Sequence, residues 1–183
     1  MRDIMSKYFI GIVPPEPMYS TVLNLQHQYM DRIGVEPHIT LKAQSSLTID
    51  ENWIEDITNL IYHTSKFTVK PKQTAYFGKE VLYVSFDSLE IHDLHKQIVE
   101  LLNVTKEMQQ KYFEGDLYVP HLTVGKQSYG DNISTGNNIN HLLNMEKELN
   151  EKDIFKPFQV NEIYIYKYIH NKYIRLKKVE LKD

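Results

Sequence analysis

Two short segments of the chain pair a histidine with a threonine two residues later: Pro37-His38-Ile39-Thr40-Leu41 and Pro120-His121-Leu122-Thr123-Val124. One His-x-Thr is a weak signal in any chain of this length. A second copy with the same preceding proline and the same following apolar residue is a much stronger one. On a β-strand, residues i and i+2 point to one face. Each histidine therefore projects beside its threonine, while Ile39, Leu41, Leu122 and Val124 point into a core. Two such strands facing one space would present two imidazoles and two hydroxyls to it. Histidine titrates near neutral pH, so one copy can accept a proton while the other donates one. Threonine hydroxyls can donate to non-bridging phosphate oxygens as negative charge builds there. The set suits phosphate-ester chemistry, and the scheme itself calls for no metal or other cofactor.

The elements that must hold these motifs repeat along the chain. Tyr8–Val13 reads as a strand stopped by Pro14, Pro15 and Pro17. A helical pattern follows with Val22, Leu25 and Tyr29 on one face, and then the first motif strand. Thr48 and Glu51 have capping-box spacing ahead of a helix that places Trp53, Ile54, Ile57, Leu60 and Ile61 on one stripe. Strands at Phe67–Phe77 and Val81–Phe86 turn at Gly78-Lys79. The order then recurs: a helix bearing Ile91, Leu94, Ile98 and Leu101, the second motif strand, a polar loop around 128–138, and a helix with Ile139, Leu142, Leu143 and Leu149. Two closing strands, near Gln159–Tyr168 and Tyr173–Leu181, turn at His170-Asn171. The expected class is α+β, a single domain built of pseudo-repeat halves at about 1–78 and 79–183.

Bulk properties narrow the function classes. The chain has 183 residues, 42% of them apolar and 25% charged, enough for one domain with a real core. A net charge of −3 argues against coating long nucleic acid and leaves room for contact with a nucleotide or an RNA end. The absence of cysteine excludes disulfides, thiolate zinc sites and cysteine nucleophiles. Arg2, Asp3, Lys7 and Glu16 interrupt the first twenty residues, so no signal peptide is expected there. The expected address is cytoplasmic, with no membrane contact and no obligate protein partner.

Paired His-x-Thr motifs in a duplicated α+β chain of this length resemble the two-histidine (2H) phosphoesterases, in particular their bacterial 2′-5′ RNA ligase and RNA 2′,3′-cyclic phosphodiesterase branch. The resemblance implies two lobes, each an antiparallel sheet with helices packed outside, and a central cleft lined by the motifs. It implies a substrate with a ribose 2′,3′-cyclic phosphate, on a nucleotide or an RNA end, opened to a 2′-phosphate. A 2′-5′ RNA ligase, a 2′-5′ oligonucleotide phosphodiesterase and a nucleotide-binding module with little turnover are the alternatives. Carried over by position, His38 becomes the acid and His121 the base, with Thr40 and Thr123 on the phosphate. Relatives often carry arginine and an aromatic residue after the first motif, where this chain has Lys42-Ala43. They often carry arginine five positions past the second histidine, where it has Lys126. Lysine keeps the charge and loses the planar fork.

Further candidates for substrate contact lie near the motifs. Lys42 shares the face of His38 and Thr40 if its strand is regular. Lys126 has the opposite parity from His121 and needs a bulge to reach the cleft. Tyr8, on the first strand, is placed to stack a base, as are Tyr76, Phe77 and Tyr118. His92 and His95 lie three apart on a helix without a third ligand in pattern, so no metal site is expected.

Overall fold

A computed structural model describes residues 7–129 and 132–183; Arg2 and Asp3 lie outside them. Ten strands and five helices follow in chain order among the described residues: β1 (Tyr8–Ile12), α1 (Met18–Tyr29), β2 (Ile39–Lys42), α2 (Trp53–Tyr62), β3 (Phe67–Phe77), β4 (Val81–Asp87), α3 (Leu89–Leu101), α4 (Lys106–Lys111), β5 (His121–Lys126), β6 (Ser128–Tyr129), β7 (Ile133–Ser134), α5 (Ile139–Asn150), β8 (Phe158–Val160), β9 (Glu162–Ile169) and β10 (Lys172–Glu180). Eight of the strands form one curled sheet in the order β10-β9-β1-β2-β5-β4-β3-β8. Every strand pair within it is antiparallel. β6 and β7 pair as a separate two-stranded sheet. The class is α+β, with two lobes of four strands that meet at the two motif strands.

Alternation explains which face each strand buries. In β1, Tyr8, Ile10 and Ile12 join the main core under the helices, while Phe9 belongs to a second cluster with Tyr164 and Tyr166 on the opposite face. Helices α2 and α3 pack together and reach β10 and β2 respectively, and α1 and α5 cover β5. The lobes therefore do not coincide with chain halves 1–78 and 79–183. β3 pairs with β4 and β8, whereas β9 and β10 return to β1. Sequence order repeats; space interleaves.

Local chemistry sets most boundaries. Ser88, Thr105 and Asn138 cap α3, α4 and α5 by accepting backbone N–H bonds. The Gly78 and His170-Asn171 turns carry positive φ, as tight hairpins require. The capping box expected at Thr48 and Glu51 does not form. Helix α2 begins at Trp53, Thr48 donates to Asp50, and Glu51 turns outward to take bonds from Tyr8 and Lys167. α4 and the 3-10 turn Gly115–Leu117 are additions to the expected order of elements. Among the described residues, no helix is long and apolar enough to cross a membrane.

Candidate active site

The two motif strands are neighbours in the sheet and pair only at Ile39 and Leu122. Their antiparallel sense sets Thr40 toward His121 and His38 toward Thr123. The four side chains are half-buried on the face away from the helices, while Ile39, Leu41, Leu122 and Val124 are fully buried.

The same supports recur around each histidine. His38 bonds through Nδ1 to the Glu36 carbonyl at 2.8 Å, and His121 through Nδ1 to the Val119 carbonyl at 2.8 Å. In each case a buried proline stands between carbonyl and histidine, and its fixed φ sets the carbonyl beside the ring. With Nδ1 donating, Nε2 is the nitrogen left for proton exchange. Each ring also meets an aromatic pair. Phe9, stacked on Tyr166 at 4.4 Å, lies 4.7 Å from His38; Phe77, stacked on Tyr83 at 4.1 Å, lies 4.9 Å from His121. Because the motif strands pair at one point only, their next carbonyls take side-chain donors. Tyr118 Oη bonds Thr40 O at 2.8 Å, and Gln26 Nε2 bonds Thr123 O at 3.2 Å.

Two matching bulges decide which lysine reaches the cleft. In β2 the register against β1 slips so that Leu41 is extra, and in β5 the register against β4 slips so that Val124 is extra. Each bulge sends two successive residues to the helix side and flips the parity of everything after it. Lys126 thereby comes to the face of His121 and Thr123. Its Nζ sits 4.1 Å over the Tyr129 ring, and its charge reaches His38. Gly125, at the inward position, has no room for a side chain: a Cβ would lie 2.8 Å from Met145 Sδ.

The expectation for Lys42 is corrected by the first bulge. Lys42 takes the inward position, has 0% exposure, and pairs with Glu114 at 2.6 Å. Its ammonium also donates to Ser45 O, Ser45 Oγ and Ala43 O. Burial drives its pKa down to about 8 against the opposing pull of Glu114. Tyr8 is corrected as well. It lies on the helix face of β1, edge-on to Trp53 and bonded to Glu51. Tyr76 bonds Glu146, and Tyr118 is buried against His95; of the aromatic candidates, Phe77 is the one that meets a motif histidine. His95 bonds Leu41 O through Nδ1 and accepts from Gly115 N through Nε2, so both its nitrogens are engaged within the protein.

One set of supports has no local sequence signal. The Glu36 carboxylate accepts from Tyr19 Oη at 2.8 Å, Tyr166 Oη at 2.7 Å, and both Nε and Nη2 of Arg175 at 2.5 and 2.8 Å. Burial raises the Glu36 pKa, but these bonds outweigh it and hold the carboxyl below its usual range. The clamp fixes the residue whose carbonyl orients His38. Tyr166 and Arg175 lie more than a hundred residues from Glu36, so no spacing rule could reveal it.

Burial pushes the His38 pKa down to about 4, and the nearby His121 and Lys126 charges add to that shift. His121 is also lowered, again by burial. Both imidazoles thus favour the neutral form, and an anion between them would restore a proton to the pair.

The threonines carry a direct prediction. Thr40→Val and Thr123→Val keep shape and strand propensity and delete the hydroxyl. Each is expected to lower kcat/KM roughly 10–1000-fold with folding retained, the range for losing one donor to transition-state charge. Steady-state kinetics beside a melting curve checks it; unchanged kinetics in both would place the hydroxyls off the substrate.

Comparison with known proteins bears on the fold and the family. Residues 21–172 match the family model described as the 2′-5′ RNA ligase superfamily. The fold is similar to TT0787 of Thermus thermophilus, with 14% identity, 95% of this chain and 97% of that one covered, and a TM-score of 0.57. It is also similar to E. coli LigT complexed with 3′-AMP, at 14% identity, 98% and 99% coverage and a TM-score of 0.55. The NADP+ complex of LigT gives 12% identity, 97% and 98% coverage and a TM-score of 0.51. No curated protein matches the chain by sequence. A family match over most of the chain, on a sheet that sets two His-x-Thr strands side by side, means that this protein belongs to the 2′-5′ RNA ligase superfamily of 2H phosphoesterases.

Proposed function

We propose that the protein hydrolyses the 2′,3′-cyclic phosphate of a nucleotide or RNA end, leaving a 2′-phosphate. The observation that supports this most is the matched mounting of His38 and His121, each with Nδ1 tied to a carbonyl and Nε2 left to exchange a proton. Water attacks phosphorus and forms a new P–O bond as the bond to the ribose 3′ oxygen breaks. His121 takes the proton from water, and His38 gives a proton to the departing 3′ oxygen. Thr40, Thr123 and Lys126 face the non-bridging oxygens, where charge builds in the transition state. The imidazole pair supplies both proton transfers, so the scheme needs no metal ion. The LigT complex with 3′-AMP fits a nucleotide as the cleft's occupant.

The four 2′,3′-cyclic mononucleotides, incubated with the protein in excess EDTA and followed by chromatography, test this reading. Turnover to nucleoside monophosphate is expected with chelator present. Activity recovered only on adding a divalent ion would overturn the mechanism, and no turnover of any of the four would overturn the substrate assignment.

A further inference from the structure

The symmetry of the site breaks beside the histidines. Next to His38, the Phe9–Tyr166 pair is buried under Tyr173, Val35 and the Glu36–Arg175 clamp. Next to His121, Phe77 is 40% exposed and faces a cavity of about 490 Å³. This cavity is continuous with the reaction centre, since Thr40 and His121 are among its walls. The far wall is the loop after α4, which contributes Phe113, Leu117 and Val119.

Three features of the walls indicate what would sit there. First, Phe77, Phe113, Leu117 and Val119 all expose large apolar side chains at one place, and exposed apolar groups gathered around a cavity mark a binding surface. Second, buried polar groups on the wall are already occupied. His95 is bonded at both nitrogens, and Glu114 is held by Lys42 and Ser45. Among the described residues, neither lysine nor arginine lines the cavity. Ala43 stands on the β2 side where the second lobe, after its own bulge, has Lys126. Third, Phe113 is 71% exposed and holds a left-handed backbone with φ 55° at the position just past the end of α4, where glycine is usual. That conformation is unfavourable for a bulky side chain, and an exposed ring does little for the core.

We infer that this cavity seats the nucleobase of the nucleotide whose phosphate lies between His38 and His121, with Phe113 as one of its stacking faces. The inference rests on the proposed cyclic-phosphate reading and names the part of the substrate that gives affinity. A wall without cations has nothing to hold a further phosphate, so the base seated there is that of a single terminal nucleotide. The buried polar side chains of the wall are committed within the protein. Tyr112 also lines the cavity, and because its hydroxyl can either give or take a hydrogen bond it does not by itself distinguish the bases. All four bases should therefore be accepted, with purines favoured by their larger stacking area.

The test compares 2′,3′-cyclic AMP with a baseless analogue, 1-O-methylribose 2′,3′-cyclic phosphate, in wild type, Phe113→Gly and Leu117→Ala. The ratio of kcat/KM for the two substrates is expected to fall roughly tenfold in Phe113→Gly, within the range of one base–aromatic stack, and to fall in Leu117→Ala. Glycine relieves the left-handed backbone, so the melting temperature of Phe113→Gly should not drop. An unchanged ratio in both variants would overturn the inference. Binding of 2′-AMP against inorganic phosphate, titrated by NMR, separates this claim from the reaction class. If no cyclic phosphate is turned over yet Phe113→Gly selectively weakens 2′-AMP, the base site stands and the reaction does not. If wild type turns over both substrates equally well, the reaction stands and the base site does not.

Discussion

His38→Ala and His121→Ala are each expected to lower turnover of a 2′,3′-cyclic nucleotide by a hundredfold or more, on the order of one acid–base group. The double variant should cost little beyond the worse single, because members of one catalytic unit are not additive. The structure gives both imidazoles the same mounting and sets their strands side by side, near enough for one charge to depress the other's pKa. Rate against pH supplies a second readout. A lowered histidine pKa means that the cation is lost at a more acidic pH. The free-protein profile, kcat/KM, should therefore have its descending alkaline limb on the acid side of the ordinary histidine value of 6.5. The profile of kcat should move upward once the substrate anion holds a proton on the pair. Independent, multiplicative losses in the double variant would mean two separate sites.

Glu114→Ala is expected to produce the largest loss of stability. It leaves the Lys42 ammonium buried at 0% exposure without its carboxylate partner. Breaking a buried pair by removing one member costs about 3–5 kcal/mol, a fall in Tm on the order of 10 °C for a domain of this size. Replacing both, as Lys42→Met with Glu114→Leu, removes the stranded charge and should recover most of the loss, since buried pairs give little net stability over apolar residues of similar volume. Thermal melts of the three proteins check the prediction. A Glu114→Ala melt within a degree or two of wild type would mean that Lys42 escapes to water.

The contrast between Lys42 and Lys126 shows where local pattern stops being informative. Alternation within a strand is local, so the inward Ile39 and Leu122 and the cleft-facing His38 and His121 can be placed from periodicity. Phe67–Phe77 also matches its strand end to end. A bulge depends on how neighbouring strands pair, and strict parity assigns Lys42 to the cleft and Lys126 to it only through a bulge. The bulges at Leu41 and Val124 reverse the first placement and supply the second. The same limit hides the Glu36–Arg175 clamp and the exchange of β3, β9 and β10 between lobes. Both are long-range pairings with no spacing signature. The loop after α4 is silent in the sequence for another reason. The helix is short and polar, and Phe113 and Leu117 turn their apolar surface to a cavity instead of the core, so no amphipathic stripe announces them.

The regiochemistry of the product reports whether two fixed histidines flank the phosphate. In-line attack requires water opposite the leaving oxygen, so an acid and a base fixed on opposite sides of phosphorus release one ribose oxygen and not the other. Phosphorus NMR of the products from 2′,3′-cyclic AMP, with EDTA present, is expected to show 2′-AMP alone. An equal mixture of 2′- and 3′-AMP would contradict two fixed histidines flanking a single phosphate.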